Sequence, residues 1–259
     1  MRTMVIGDIH GSARALEQVL ERSGFDPKVD RLIQLGDVAD GWSETSECVD
    51  ILLDIKKKST EENEPVFIRG NHDVWVYDWM MYGIQPIIWT QQGGQATLGS
   101  YIRTGKLVDR HHKNFWFKQD DYYIDDQNRL FIHAGWDYTV DVGDCETELE
   151  KFIKQAKTRV NAGSIAQECH WDRKLLAGAK SGKHNGFKPL RLFNEVYIGH
   201  TAIRAKWHGQ EPQPENYLNL WNLDTGAGWY GCLTIMDIDT KEIWQSDNVR
   251  KLYPDELGR

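Results

Sequence analysis

The 259-residue chain carries 31 Lys and Arg against 39 Asp and Glu, a formal charge of −8. That balance excludes general nucleic-acid backbone binding, which runs on clustered cations. Four scattered cysteines (Cys48, Cys145, Cys169, Cys232) form no CxxC pair, so neither a disulfide scaffold nor a zinc-thiolate site has support. With 40% hydrophobic residues and 11 Trp, a sizeable core is available, and residues 1–259 are read as one domain. No apolar run approaches the roughly 18 residues of a membrane span, and the first strand starts at Met4-Val5-Ile6 without a leader ahead of it. A soluble cytoplasmic protein with reduced thiols and no membrane partner is expected. The sequence assigns no oligomeric state.

The first third alternates strand and helix. After a strand at 4–6, Ala13, Leu16, Val19 and Leu20 fit one helical face, and Gly24 supplies a stop. A second strand runs to Leu35. Ser43 then reads as an N-cap, with Cys48, Ile51, Leu52 and Ile55 at helical spacing and Lys56-Lys57-Lys58 as a solvated helix end. A third strand covers Val66-Phe67-Ile68. From about 74 to 119 the text is rich in Trp and Tyr and reads as cap-like helices and loops. A strand follows at 130–132. The stretch 146–160 is helical with Leu149, Phe152, Ile153 and Val160 inward; 164–190 continues helically and loosens after Ser181. A strand at 196–198 and a polar loop over 209–216 come next. Leu218–Leu223, Leu233–Ile238 and Glu242–Gln245 then read as an antiparallel sheet, with a tight turn at Asp239-Thr240-Lys241. The expected class is α/β (α+β): two packed sheets flanked by helices.

Five apolar runs stop at Gly or a polar residue: before Gly7-Asp8-Ile9-His10, Gly36-Asp37, Gly70-Asn71-His72, His133-Ala134-Gly135 and Gly199-His200. Side chains just past the carboxyl ends of such strands meet in one crevice. Asp8, His10, Asp37, Asn71, His133 and His200 therefore make one candidate site, a mixed N/O set suited to first-row divalent ions. Asp8 and His10 can reach one ion. Asn71, His133 and His200 can complete a second, and the two oxygens of Asp37 can bridge them. Two ions about 3.5–4 Å apart clamp an in-line displacement at phosphorus and lower the pKa of a shared water. His72, directly after Asn71, is placed to give a proton to a leaving oxygen, and Asp40 to hold that imidazole.

These blocks resemble, in order, the signatures of the calcineurin-like metallophosphoesterases. The likeness is strongest to the phosphoprotein phosphatase branch and its bacterial and bacteriophage serine/threonine phosphatases. Gly93–Tyr101 and Asn222–Gly228 resemble further stretches of those bacterial members. The resemblance implies a four-layer β-sandwich fold. It also implies metal ligands Asp8, His10, Asp37, Asn71, His133 and His200, with His72 as general acid and Asp40 as its partner. Manganese is the usual activating ion of that branch, iron and zinc its alternatives. One departure stands out. The branch normally reads Asp-x-x-Asp-Arg-Gly, where Arg grips phosphate; here Asp37-Val38-Ala39-Asp40 runs into Gly41-Trp42. Arg173, in His170-Trp171-Asp172-Arg173, resembles the second phosphate-binding Arg and is the candidate remaining clamp. Arg69 is a weaker candidate, better read as a structural ion pair. Asp73 stands where Glu is usual.

Away from these blocks, His111-His112 reads as a solvated turn, and His170, His184 and His208 as non-ligands. Most of Trp75, Trp79, Trp89, Trp116, Trp136, Trp171 and Trp229 read as packing, with two or three left over to line a substrate groove. The leading expectation is a serine/threonine protein phosphatase using hydroxide activated by the metal pair. The alternative is a dinucleoside tetraphosphate hydrolase or small-molecule phosphoesterase, which the missing Arg favours. A phosphate-binding pseudoenzyme is opposed by the intact ligand set.

Overall fold

The computed structural model describes residues 1–160, 165–182, 188–204 and 211–259. The readings of His184 and His208 fall outside them, as does most of the loosening after Ser181. In chain order the strands are β1 (Thr3–Ile6), β2 (Arg31–Gln34), β3 (Val66–Phe67), β4 (Tyr122–Ile124), β5 (Arg129–Ile132), β6 (Glu195–Ile198), β7 (Glu215–Tyr217), β8 (Leu220–Asn222), β9 (Thr234–Asp237) and β10 (Ile243–Gln245). The α-helices are α1 (Ala13–Arg22), α2 (Thr45–Lys58), α3 (Asn71–Tyr82), α4 (Ile87–Trp89), α5 (Gln95–Thr104), α6 (Arg110–Phe117), α7 (Glu148–Ala156), α8 (Lys174–Ser181) and α9 (Val249–Leu252).

The strands form two mixed five-stranded sheets, ordered β10-β9-β1-β2-β3 and β4-β5-β6-β8-β7. The first is parallel through β1, β2 and β3; the second is parallel through β5, β6 and β8. Strand alternation divides the apolar residues between layers. Val5, Ile33 and Met236 point inward and meet Phe131, Tyr197 and Leu223 between the sheets. The intervening residues Met4, Ile6, Leu32 and Ile235 face α1 and α2. On the far side, Leu130, Ile132, Val196 and Ile198 face Phe152 of α7 and Leu175 and Leu176 of α8. The result is helices, sheet, sheet, helices, the architecture expected from the sequence.

Several expectations are corrected. The terminal β run does not make one sheet: β9 and β10 join β1, while β8 pairs in parallel with β6 in the other sheet. The 209–216 loop ends in a strand, because β7 folds back on β8 through a turn with Leu218 at φ 61°. β4 was not anticipated; it is short and only partly buried along its length, so alternation gives it no signal. The N-cap of α2 is Glu44, not Ser43. Ser43 instead gives its N–H and Oγ–H to Glu256, at 2.9 and 2.7 Å. Leu149 (43% exposed) and Val160 (41%) lie outside the core that Phe152 joins: one sits in the first turn of α7, the other past its end. Among its described residues, the 164–190 stretch holds short helical pieces, chiefly α8.

Phe131 and Tyr197 stack across β5 and β6 with centroids 5.0 Å apart, both fully buried. Phe131→Ala is expected to destabilise the protein by about 3–5 kcal/mol, measured by denaturant unfolding. Asp30 ties the start of β1 to the loop before β2, its carboxylate accepting from Arg2 Nε and Nη2 at 3.2 and 2.5 Å. Burial pushes this carboxyl up, but the Arg2 guanidinium outweighs it, and the net shift is downward. The folded pKa thus lies below the unfolded one of about 3.9. The stabilisation is complete above that pH and is lost as pH falls through the folded value. Asp30→Asn should lower stability at pH 7 and flatten this part of the acid limb of an unfolding titration.

Candidate metal centre

The strand ends deliver the site. Asp8 follows β1, Asp37 follows β2, Asn71 opens α3 after β3, His133 follows β5 and His200 follows β6. Backbone bonds lock the first two loops together: Ile9 and His10 both give their N–H to Asp37 O, at 3.0 and 2.9 Å. His10, Asp37, Asp40 and His200 all have φ between 51° and 69°. Left-handed backbone costs a non-glycine residue about 1–2 kcal/mol, though Asp, Asn and His tolerate it best. Four such residues in one crevice mark it as a place where geometry has overridden backbone preference. Two glycines let the loops close around carboxylates. A Cβ on Gly70 would collide with Asp37 Oδ1, and one on Gly199 with Asp8 Oδ1.

All six predicted ligands are buried and converge. Asp8, His10 and Asp37 offer donor atoms within 4.8 Å of one another, as do Asp37, His133 and His200. Asp37 is common to both groups. Asn71 Oδ1 lies 3.2 Å from His133 Nε2 and 2.9 Å from His200 Nδ1. Tautomers are set by backbone carbonyls, the usual support for a metal-ligating histidine. His10 Nδ1 donates to Ala39 O and Asp40 O, and His133 Nδ1 to Leu35 O, leaving each Nε2 lone pair facing the carboxylates.

Two buried atoms in this cluster lack any hydrogen-bond partner: Asp37 Oδ2 and His200 Nε2. Such orphans are expensive unless something binds them. The electrostatics agree. Burial pushes Asp8 well above the carboxylate range, with Asp224 and Asp37 adding to it. Burial opposes the charge of Asp37 too, but His133 and His72 hold it well below that range. Burial pushes His10 down to about 3 and His200 well down, whereas at His133 the Asp37 carboxylate overcomes burial and raises it. Two imidazoles held neutral by burial, a third drawn to the Asp37 carboxylate, and crowded carboxyl groups make a donor set that divalent cations would relieve, so the residues present fit two ions.

His72 and Asp40 sit beside this cluster, both with 0% exposure. His72 Nδ1 is 2.7 Å from Asp40 Oδ2. Asp40 also accepts from Trp89 Nε1 and Thr97 Oγ1, each at 2.8 Å. Burial lowers His72 to about 3 and raises Asp40 well above its usual range. The other ring nitrogen, His72 Nε2, is left without a protein partner among the described residues. Asp73 is structural: it accepts from Val38 N and Ala39 N through Oδ1 and from Gly70 N and Gln119 Nε2 through Oδ2.

The two candidate arginines part company. Arg173 Nη1 donates to Thr201 Oγ1 at 3.0 Å, beside His200. Arg69 is only 7% exposed; its Nη2 donates to Trp116 O and Phe117 O, and Nη1 lies 3.6 Å from Asp121. That is the structural placement, with the guanidinium committed to the end of α6. Sequence reasoning passed over Thr97 and Trp89, whose partners lie some 50 residues away in sequence. It also passed over Asp224, a buried carboxyl raised by burial to about 6, and Arg259, whose Nη1 lies 3.2 Å from His10 Nε2. Asp224 lies within the quoted Asn222–Gly228 block, so a signal was present; Arg259 had none.

A family model for calcineurin-like phosphoesterases matches residues 1–162. A symmetrical bis(5'-nucleosyl)-tetraphosphatase from Haemophilus ducreyi is 23% identical over 287 residues, covering 96% of this chain and 100% of its own. The protein of the same name from Pseudomonas fluorescens is 25% identical over 280 residues, 93% of each. Among solved structures, a protein serine/threonine phosphatase from Saccharomyces cerevisiae superposes with a TM-score of 0.55 at 13% identity, over 92% of this chain and 73% of that one. A cold-active protein tyrosine phosphatase gives 0.55 at 14% identity, over 94% and 78%. These two likenesses speak for the fold alone. With a model match over more than half its length, the chain belongs to the calcineurin-like phosphoesterase family and is a metal-dependent phosphoester hydrolase.

Proposed function

We propose that this chain hydrolyses the phosphate chain of nucleotides, with dinucleoside tetraphosphates as the substrate class. Trp229 carries this reading. Its indole is 42% exposed, and it follows Gly228, whose absent side chain lets that loop press on the His10 ring. An exposed indole beside a phosphate site is a stacking surface for a base. Relatives named as bis(5'-nucleosyl)-tetraphosphatases, aligned over nearly their whole length, support the same class.

In this reading Asp8, His10 and Asp37 hold one divalent ion, and Asp37, Asn71, His133 and His200 hold a second. Manganese is our assignment, with iron or zinc as alternatives. Two ions so held neutralise phosphoryl oxygens and acidify water. The chain supplies the rest. His72 Nε2 has no competing protein partner, so a proton carried there is available to the leaving oxygen. Asp40, fixed by Trp89 and Thr97, keeps the ring aimed and stabilises it as charge develops. Arg173 beside His200 offers a guanidinium to the phosphate chain.

A second reading, a phosphoserine or phosphothreonine protein substrate, is favoured by the Gly93–Tyr101 and Asn222–Gly228 blocks. Side-by-side kcat/KM values on diadenosine tetraphosphate, a phosphopeptide and p-nitrophenyl phosphate separate the two. We expect the dinucleotide to exceed the phosphopeptide by at least about tenfold, and Trp229→Ala to raise its KM by about tenfold, since base–aromatic stacking is worth about 1–3 kcal/mol. The reverse ranking assigns the protein substrate. His72→Asn is expected to cut turnover by about 10²–10⁴ while bound manganese, measured by elemental analysis, stays near wild type. Equal loss of metal would reduce His72 to a structural residue.

A further inference from the structure

The branch that this chain resembles places a phosphate-gripping Arg after the second Asp of its Asp-x-x-Asp block, where Gly41 stands here. The backbone explains why no side chain sits there. Gly41 has φ +125°, a conformation L residues rarely adopt, and a Cβ on it would lie 3.0 Å from His10 O. The same Cβ would lie 3.7 Å from the Cβ of Arg259. A distant arginine therefore occupies the space in front of position 41.

The segment after α9 is built to bring it there. Tyr253 stacks on Trp42 with centroids 5.0 Å apart, and its hydroxyl bonds Glu44. The Glu256 carboxylate accepts from both Ser43 N and Ser43 Oγ. Gly258, at φ +72°, lies flat on Trp42, where a Cβ would come within 2.9 Å of the indole. The Arg259 N–H then donates to Gly228 O at 3.0 Å. These contacts fasten the segment to the 41–45 loop on one side and the 226–229 loop on the other.

The Arg259 side chain turns inward from that anchor. Its guanidinium carbon lies 5.5 Å from the Trp229 ring centroid, and Nη1 is 3.2 Å from His10 Nε2. Its charge acts on Asp8, His10, Asp40, His72, His200 and Asp224. No carboxylate of the described residues pairs with it. A guanidinium in no direct ion pair among the described residues, held beside the candidate metal ligands, keeps its fork of donors free for a phosphate. We propose that Arg259 is the substrate-phosphate-binding arginine of this enzyme, supplied by the 249–259 segment in place of the one missing at Gly41. Together with Arg173 it would grip the phosphate from the His10 and His200 ends of the site.

The proposal rests on the metal-centre reading but not on the nucleotide one, so its test uses inorganic phosphate. Arg259→Gln and Arg259→Lys in the full chain are loaded with manganese, and phosphate binding is measured by calorimetry. Arg259→Gln should weaken phosphate binding by about tenfold or more, and Arg259→Lys by less, because only the fork geometry is lost. Manganese stoichiometry should not fall below the wild-type value, since Nη1 contacts the His10 lone pair that an ion would take and its removal frees that donor. KM for p-nitrophenyl phosphate should rise with the phosphate dissociation constant. A smaller change in phosphate affinity overturns the proposal. So does loss of manganese or a lowered melting temperature in Arg259→Gln, which would make Arg259 a structural strut. A failure here leaves the ranking of nucleotide and phosphopeptide substrates untouched.

Discussion

The site depends on the Asp37 loop. Its carbonyl oxygen takes two N–H groups from the Asp8–His10 loop, and its Oδ1 takes the N–H of His72. Its other carboxylate oxygen has no hydrogen-bond partner and lies 3.7 Å from His10 Nε2. One residue in left-handed backbone thus joins β1, β2 and α3 while exposing a bare oxygen to cations. Asp73, from the first turn of α3, holds the following amides Val38 and Ala39 so that the loop cannot relax. Burial makes this costly: a carboxylate sealed from water must be compensated by imidazoles, amides or metal. The two sheets supply the rigidity that keeps it in place, with Phe131, Tyr197, Val5 and Ile33 filling the space behind the strand ends.

Much of this was legible in the chain. The strands that lead to the candidate ligands are fully buried or nearly so, and each stops abruptly at glycine or a polar residue, which is why β1, β2, β5 and β6 and the six candidate donors could be read together. The terminal β run misled because local alternation says nothing about partner choice. β8 and β9 look alike in sequence, yet one joins β6 and the other β1. Ser43 misled for a related reason. A hydroxyl ahead of a helix suits an N-cap, but a carboxylate 213 residues away offered a better partner.

The unreadable parts share a cause: their meaning lies in long-range contact. Trp89 was one tryptophan among eleven until its indole was found on Asp40. Thr97 lies within the quoted Gly93–Tyr101 block, but nothing in that block showed that its hydroxyl fixes the other Asp40 oxygen. Arg69 immediately precedes the Gly70-Asn71-His72 block, yet its guanidinium is committed to the carbonyl end of α6 rather than to the candidate ligands. Proximity along the chain is a poor guide where a strand ends and the backbone turns.

The placement of His72 at the start of α3 has a wider consequence. The helix is a stiff rod whose middle is anchored by Val76, Trp79 and Met80 among the packed rings of the cap. Any loosening there would tilt the rod about its anchored centre and swing the imidazole at its tip. Apolar residues more than a turn from the site thereby act as the mount of His72, the proposed proton donor, and the aim of its ring depends on their packing.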